Sequence, residues 1–491
     1  MAAEAKAAED VAGEIEQWRD SADKREALAR LSERFWNTSD QRYLWGCASL
    51  LKHFEGDLTY HQDAQWRIIA SLAYGEEKGE PGLRERIRYD EVGPSYLRVM
   101  NALRASCRFP PPRARGARRP RLLWICHNVM GGSHSPTLVA MEYCSRIVSL
   151  MGIDVMVMDS RLYPDRLQSD MYGLRWTLDE RPPGLTEFRR NGSQMMLYTA
   201  AEFGMTTAKL LECGRAALAF DPDWIVAHGH FNTIGDLLAP NFPTVCVDTT
   251  RLEPISLAPA YVLFDGIVQR LRMPATGLLP RTPRVHRLRS SIPLADKTAS
   301  LERSRFGLAP EDYVYIIVGY RLAGEITEAF EEVLARILGD VPRAVVLTVG
   351  GKRVWRNPRL ITEERRLRHI NFEENLRALT AICDCYINPD RQGGGMSADL
   401  ARIEGVPVLT LRDNDVAAVI GNDNALPDLD ALAQRAIELG RDPAAHEAAR
   451  VRMRAIRDAL PDFDDTIRAF VGILEETARD TVVAPPLAAT A

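Results

Sequence analysis

The chain has 491 residues, more than one ordinary hydrophobic core organises, so two or three domains are expected. Hydrophobic residues make up 46% and charged residues 26%, a globular balance, and a formal net charge of −5 argues against a general nucleic-acid binder. The first residues, MAAEAKAAED, carry acids and lack the apolar core of a signal peptide, and no apolar run approaches the roughly 20 residues that span a bilayer. The eight cysteines show no paired metal-ligand spacing. Cys383 and Cys385 alternate along one stretch and point to opposite faces, so reduced cysteines in a cytoplasmic protein are expected.

Residues 11–107 read as helical. Ile15, Trp18, Ala22, Leu28, Leu31 and Phe35 recur at helical spacing, Trp45, Leu50, Leu51 and Phe54 mark a second helix, and Trp66, Ile69, Ala70 and Ala73 a third. No repeat period emerges. Residues 1–108 are therefore expected to form an all-helical N-terminal domain, serving as an oligomerisation face or as a docking module for a protein or polymer acceptor. Residues 109–121, FPPPRARGARRPR, read as a linker stiffened by prolines and made basic by Arg113, Arg115, Arg118, Arg119 and Arg121. A solvated tether is the plain reading; contact with anionic lipid headgroups or a pyrophosphate-linked acceptor is the alternative.

An α/β pattern starts at Leu122. LLWIC is a short apolar strand, HNVMGGSHSP a loop, residues 137–150 an amphipathic helix ended by Gly152, and residues 153–158 the next strand. Residues 161–192 are polar and irregular, with Pro164, Pro182, Pro183 and Gly184, and residues 199–219 read as a helix. Residues 224–227 form a buried strand ending in His228, Gly229 and His230. Ligands of parallel α/β sheets lie beyond the carboxyl ends of strands, so these histidines suggest a cleft. Metal binding is the weaker reading, because two histidines two apart lack a third ligand. Residues 244–247 are another strand, with Asp248 at its end; residues 273–293 are rich in proline and basic residues, and the domain crossover is placed near Ile292. Residues 313–318 open a second α/β region.

The most informative stretch is residues 383–411, CDCYINPDRQGGGMSADLARIEGVPVLTL. Residues 384–388 read as a strand running out at Pro389, Gly393, Gly394 and Gly395 as a turn, residues 396–404 as a helix stopped by Gly405, and residues 406–411 as a buried strand. Three glycines permit positive φ and leave no side chains over the turn. A helix N-terminus offers unpaired N–H groups and a positive dipole end, which suit a phosphate, and Ser397 either caps the helix or adds a hydroxyl donor. The bland alternative is a glycine turn between packed elements, since the spacing is neither a Walker loop nor GxGxxG.

This segment resembles the nucleotide-sugar-binding segment of bacterial GT-B glycosyltransferases, in particular the retaining group called family 4 and its capsule and exopolysaccharide relatives. Their strand ends in Asn-Pro-x-Arg, followed by a glycine triplet, Ser, a helix and Gly-Val-Pro-Val; here these are Asn388, Pro389, Arg391, Gly393, Gly394, Gly395, Ser397 and the GVPV of residues 405–408. The resemblance covers roughly residues 122–478 and is stronger in the second half. It implies an α/β GT-B fold, with two Rossmann-like domains facing a cleft and the all-helical N-terminal domain before them. Residues 122–292 would be the acceptor side. Residues 293–480 would be the donor side with a terminal crossover helix, leaving 481–491 as a disordered tail.

The resemblance implies sugar transfer from a nucleoside diphosphate donor to a glycan acceptor in bacterial polysaccharide or surface-glycan synthesis. No cofactor or metal is implied. The leaving diphosphate is stabilised by a helix N-terminus and basic side chains. The donor contacts implied are Arg321, Lys352, Asn388, Arg391, Gly393, Gly394, Gly395 and Ser397. On the acceptor side stand a cleft loop with Gly131 and Gly132, and His134, His230 and Asp248 as catalytic candidates. Retention needs no dedicated base; an inverting enzyme would use one of those three. The chain departs from the relatives at three places. Leu400 stands where a ribose-binding Glu is usual, Glu325 and Ile326 where a Lys follows the loop Arg, and Asp248 where a His is common. Lipid-linked or protein acceptors, peripheral contact with the inner membrane face through the linker, and homo-oligomerisation through the helical domain accompany this reading. The alternatives are a protein O-glycosyltransferase, a sugar-nucleotide epimerase of the same fold, and a catalytically weakened nucleotide-sugar-binding partner subunit.

Overall fold

The computed structural model describes residues 2–74, 82–111, 118–130, 134–162, 181–247, 253–264, 282–289, 300–351, 354–391 and 393–483. The chain divides into two units. Unit 1 comprises residues 1–264, 268–288 and 464–491, and unit 2 residues 265–267 and 289–463. Each is a mixed α/β assembly around its own sheet, the class expected from the sequence.

The sheet of unit 1 has eight strands: β1 (Arg121–Cys126), β2 (Asp154–Asp159), β3 (Gly184–Arg190), β4 (Ser193–Thr199), β5 (Trp224–His228), β6 (Thr244–Val247), β7 (Ala260–Phe264) and β8 (Arg284–Leu288). They lie in the order β3-β4-β2-β1-β5-β6-β7-β8. All neighbours pair in parallel except β3 with β4. The central strands are covered on both faces, which is why LLWIC and WIVAH read as continuous apolar runs. The end of the stretch expected to be irregular, residues 161–192, is instead the antiparallel β3–β4 hairpin. Asn191 (φ 48°) and Gly192 (φ 77°) form its two-residue turn, the positive-φ pair that matches the twist of flanking strands. The next helix accordingly starts at Thr207, where Thr206 accepts a bond from the Lys209 amide.

The N-terminal region is helical as expected, with helices Ala2–Asp20, Lys24–Thr38, Gln41–Ser49, Leu58–Tyr74 and Gly93–Ser106. Asp23 and Asp40 cap the second and third, their carboxylates accepting hydrogen bonds from first-turn backbone N–H groups. These helices have no core of their own. One continuous cluster runs from Leu28, Phe35 and Trp66 through Tyr96 and Met100 to Leu123, Ile125, Met158 and Phe231 of the sheet layer. Polar ties cross the same boundary. Tyr96 donates to Asp236 Oδ2 at 2.6 Å, while Asp236 Oδ1 accepts from Ser256 Oγ at 2.6 Å and the Leu257 amide at 2.8 Å. Thr59 donates to the Met205 carbonyl at 2.9 Å.

The described part of the linker is anchored at Phe109, Arg118 and Arg121, while Pro110, Pro111 and Arg119 are exposed. Phe109 lies so close to the helix Thr207–Phe220 that a Cβ on Gly214 would sit 2.1 Å from its ring. Arg118 pairs with Asp223 at 2.8 Å and Asp221 at 3.2 Å, and Arg121 donates to the Phe220 carbonyl at 2.8 Å. Residues 112–117, which carry Arg113 and Arg115, lie outside the described residues.

Unit 2 holds five parallel strands, β9 (Tyr313–Gly319), β10 (Ala344–Gly350), β11 (Leu367–Ile370), β12 (Cys385–Ile387) and β13 (Val408–Leu409), in the order β11-β10-β9-β12-β13. Alternation along β9 sends Tyr315 and Ile317 into one core with Phe330 and Leu334, and Val314 and Ile316 into another with Leu347, Tyr386 and Ala398. The last helix, Phe463–Val483, belongs to unit 1 from Asp464 onward. There Phe470 packs on Trp124 and Tyr143 at ring distances of 5.7 and 5.4 Å. Among the described residues no helix is long and apolar enough to cross a membrane.

Because the N-terminal helices supply half of a shared core, a chain starting at Leu122 is expected to lose the cooperative thermal transition of unit 1. Calorimetry of the truncated protein checks this, and an unchanged unit 1 transition would show the helices to be a separable module.

Candidate functional site

In unit 2 the chain adds strands outward from β9 to β10 and β11, then returns to the other side of β9 with β12. Loops leaving the carboxyl ends of β9 and β12 therefore part to opposite sides, and such a reversal point is where open α/β sheets hold ligands. The loop after β9 carries Tyr320 and Arg321, followed by the short helix Leu322–Glu325. The loop after β12 carries Asn388, Arg391 and the glycine turn, followed by the helix Gly395–Ile403.

The structure brings most of the expected donor residues together here, in two different roles. Arg321 lies at the turn: its Nη2 is 3.0 Å from where a Cβ on Gly393 would be, and its Nε donates to Glu325 Oε1 at 2.7 Å. Arg391, expected to reach the donor, is instead buried. Its Nε donates to Asn388 Oδ1 at 2.9 Å, its Nη2 to the Val318 carbonyl and its Nη1 to Glu325 Oε2. Gly319 is required for that passage, since a Cβ there would fall 2.2 Å from Arg391 Nη1. Asn388 is likewise fully buried. These two residues brace the loop from inside.

The turn is shaped by the same packing. Gly394 has φ 87°, and a Cβ on it would meet Arg391 Nη2 at 2.8 Å, Asn388 Oδ1 at 2.9 Å and the Tyr386 hydroxyl at 3.1 Å. Gly394, not Ser397, is the N-cap of the helix. Ser397 Oγ donates back to the Gly394 carbonyl at 3.0 Å and shares a 2.9 Å bond with the Tyr386 hydroxyl. The first helical bond is Ala398 N to Gly394 O at 2.9 Å, so the amides of Gly395, Met396 and Ser397 lie ahead of the helical ladder. The carboxylates in and next to this helix are paired. Leu400 is buried, Asp399 pairs with Arg402, and Glu404 pairs with Arg377 at 2.6 Å. Burial raises the Asp399 pKa, opposed by that arginine. A signal not read from the sequence is apolar exposure along this strand edge: Tyr320 after β9, Val354 after β10 and Phe372 after β11 are 39%, 77% and 56% exposed.

Unit 1 has the same reversal between β1 and β5, but the described residues that follow these two strands are packed under a tryptophan. Trp66 of the helix Leu58–Tyr74 packs on His127, His230 and Phe231 at ring distances of 5.1, 5.6 and 6.0 Å. His230, expected in a cleft, is thus an interior residue, and burial holds its pKa far below the ordinary value. His228 accepts from Trp124 Nε1 at 2.8 Å, and its pKa is pushed down to about 3 by burial. His134 is partly buried just ahead of the helix Ser135–Met151 and shares a 2.9 Å bond with Thr137 Oγ1; burial lowers its pKa to about 4. Gly131, Gly132, Asp248 and Lys352 lie outside the described residues.

No protein-family model matches the sequence, and no curated protein is significantly similar to it. Solved structures are similar to it at low identity. A mutant O-GlcNAc transferase of Thermobaculum terrenum is 15% identical, covering 96% of this chain and 99% of that one, with a TM-score of 0.48. HepE of Anabaena, in complex with UDP and glucose, is 12% identical over 73% of this chain and 100% of that one, with a TM-score of 0.48. A glycosyltransferase of Rickettsia africae is 10% identical over 74% and 99%, with a TM-score of 0.49. At such identities and TM-scores the likeness assigns no activity.

Two predictions follow from this geometry. Gly394→Ala forces a Cβ into the Arg391–Asn388–Tyr386 contact at positive φ, and is expected to cost unit 2 about 2 kcal/mol or more in chemical denaturation. For unit 1, burial holds His61 and His127 at about 4, against an ordinary value of 6.5. The unfolded chain takes up these protons first, so stability is full above about 6.5 and is lost as pH falls toward 4. Asp236, raised by burial to about 6, works in the opposite sense. With the histidines outnumbering it, the unit 1 melting temperature should drop between pH 7 and pH 5. His61→Gln, which keeps a donor for Ser95 (2.9 Å from His61 Nε2), should flatten that dependence.

Proposed function

We propose that unit 2 binds the diphosphate of a nucleoside diphosphate sugar at the glycine turn, and that the protein transfers the sugar to a glycan acceptor. One observation carries this reading. The Arg321 guanidinium lies against Gly393 at the strand-order reversal, in the turn that leads into the first-turn amides of residues 395–397. Sugar transfer builds negative charge on the leaving diphosphate, and a fixed guanidinium and helix-terminal amides stabilise that charge without rearranging. The exposed side chains of Tyr320, Val354 and Phe372 along the same strand edge supply apolar surface for the nucleotide's planar base. On this reading unit 1 holds the acceptor, with His134 as the described candidate contact, and the reaction retains configuration without a dedicated base.

A specific observation also favours a second reading, a nucleotide-sugar-binding partner subunit of weakened activity. The helix offers the ribose no carboxylate, because Asp399 and Glu404 are committed to arginines and Leu400 is buried.

Calorimetric titration with UDP, GDP, ADP, CMP and dTDP separates the two. Tight, selective binding of one nucleoside diphosphate is expected for the transferase, and poor binding of every nucleotide for the weakened subunit. Gly395→Asp is the companion variant. A Cβ there meets only Asp415, at 3.5 Å and beyond, and an acid suits the first turn of a helix, so the fold is kept. The variant adds a negative charge at the first turn of the helix that would receive the diphosphate, and affinity should fall about tenfold or more. Unchanged affinity in the folded variant would remove the turn from the site.

A further inference from the structure

We propose that Glu325 is the positioning residue of this anion site: its carboxylate brackets the two loops of the reversal point and presets the Arg321 guanidinium before any ligand arrives. The inference rests on reading unit 2 as a nucleoside diphosphate site. Oε1 of Glu325 accepts from Arg321 Nε on its own side of the reversal, and Oε2 accepts from Arg391 Nη1 on the far side. The two loops leave β9 and β12, which part in opposite directions, so this one side chain ties them together.

The division of labour between the arginines decides that Glu325 positions Arg321 rather than occupying the ligand's place. Arg391 is internal, with Asn388 and the Val318 carbonyl as its other acceptors, and needs a counter-charge where it lies. Arg321 is partly exposed, with its side chain 28% accessible, and its Nη2 faces the turn. An acceptor on Nε fixes the plane of a guanidinium, and with it the direction in which the Nη groups point. Two guanidiniums share this one carboxylate. Positioning is also an i,i+4 device here, since Arg321 and Glu325 lie one helical turn apart.

The test uses the full-length protein and isothermal titration with nucleoside diphosphates and inorganic pyrophosphate. Glu325→Gln keeps the shape but replaces the charged acceptor of the Arg321 Nε–H with a neutral amide, so the guanidinium is no longer held in its plane; affinity should fall about tenfold. In an Arg321→Met background the same substitution should have no further effect, because Glu325 acts through that arginine. Arg321→Lys, at a partly exposed position, keeps the charge but loses the Nε–H, and should also weaken binding. It serves if Glu325→Gln fails to fold. Tighter binding by Glu325→Gln would make Glu325 a competitor of the ligand and overturn the proposal. So would full affinity in Arg321→Lys, or additive losses in the double variant. If the wild-type protein binds neither the nucleotides nor pyrophosphate, the reading of unit 2 fails and the inference fails with it. If the wild type binds and the variants match it, only the inference fails.

Discussion

The return of the chain to β9 after two strands laid down on its other side is the constraint on which the functional edge of unit 2 depends. Parallel neighbours need long crossovers, and reversing the order of addition makes adjacent crossovers leave on opposite faces. The gap left at the carboxyl ends of β9 and β12 must hold polar backbone without letting it collapse. The chain answers with an internal brace. Arg391 runs beneath the turn, Asn388 and the Val318 carbonyl take its protons, and Glu325 supplies its counter-charge. The glycines at 319 and 394 are where they are because this brace leaves no room for a Cβ.

Unit 1 repeats the topology and resolves it differently. Its sheet reverses between β1 and β5, yet the residues at those strand ends are histidines held neutral beneath Trp66. The N-terminal helices close over that edge, and the Tyr96–Asp236–Ser256 hydrogen bonds fix them there. One topological feature thus carries an arginine–glutamate cluster in one unit and buried histidines beneath a tryptophan in the other. The difference comes from what packs on it rather than from the sheet.

Much of this was legible in the residues. LLWIC, the glycine triplet and the stop at Gly405, which has φ 68°, are local signals, and local structure obeyed them. The hairpin was legible too, since Asn191-Gly192 is a strong turn pair, although the prolines and polar residues before it mask the alternation of its first strand. Other features were out of reach because they are long-range. Nothing near His230 in sequence announces Trp66, more than 160 positions earlier. Arg391 carries the charge a phosphate needs, and only the fold shows that this charge is spent internally on Glu325. Ser397 sits where a capping residue would, yet Tyr386 and the Gly394 carbonyl claim its hydroxyl.

The return of the last helix to the first unit also governs the order in which the molecule can assemble. Unit 2 is, apart from three residues, one uninterrupted stretch, while unit 1 is built from both ends of the chain. On a ribosome the earlier-made sheet must wait, with the face formed by Trp124 and Tyr143 uncovered, until the whole of the inserted stretch and then Phe470 have emerged. The later-made unit has every strand it needs before that. Synthesis from the amino end therefore completes the molecule from the inside out. The aromatic face of the first sheet is the surface that a chaperone would have to shield in the interval.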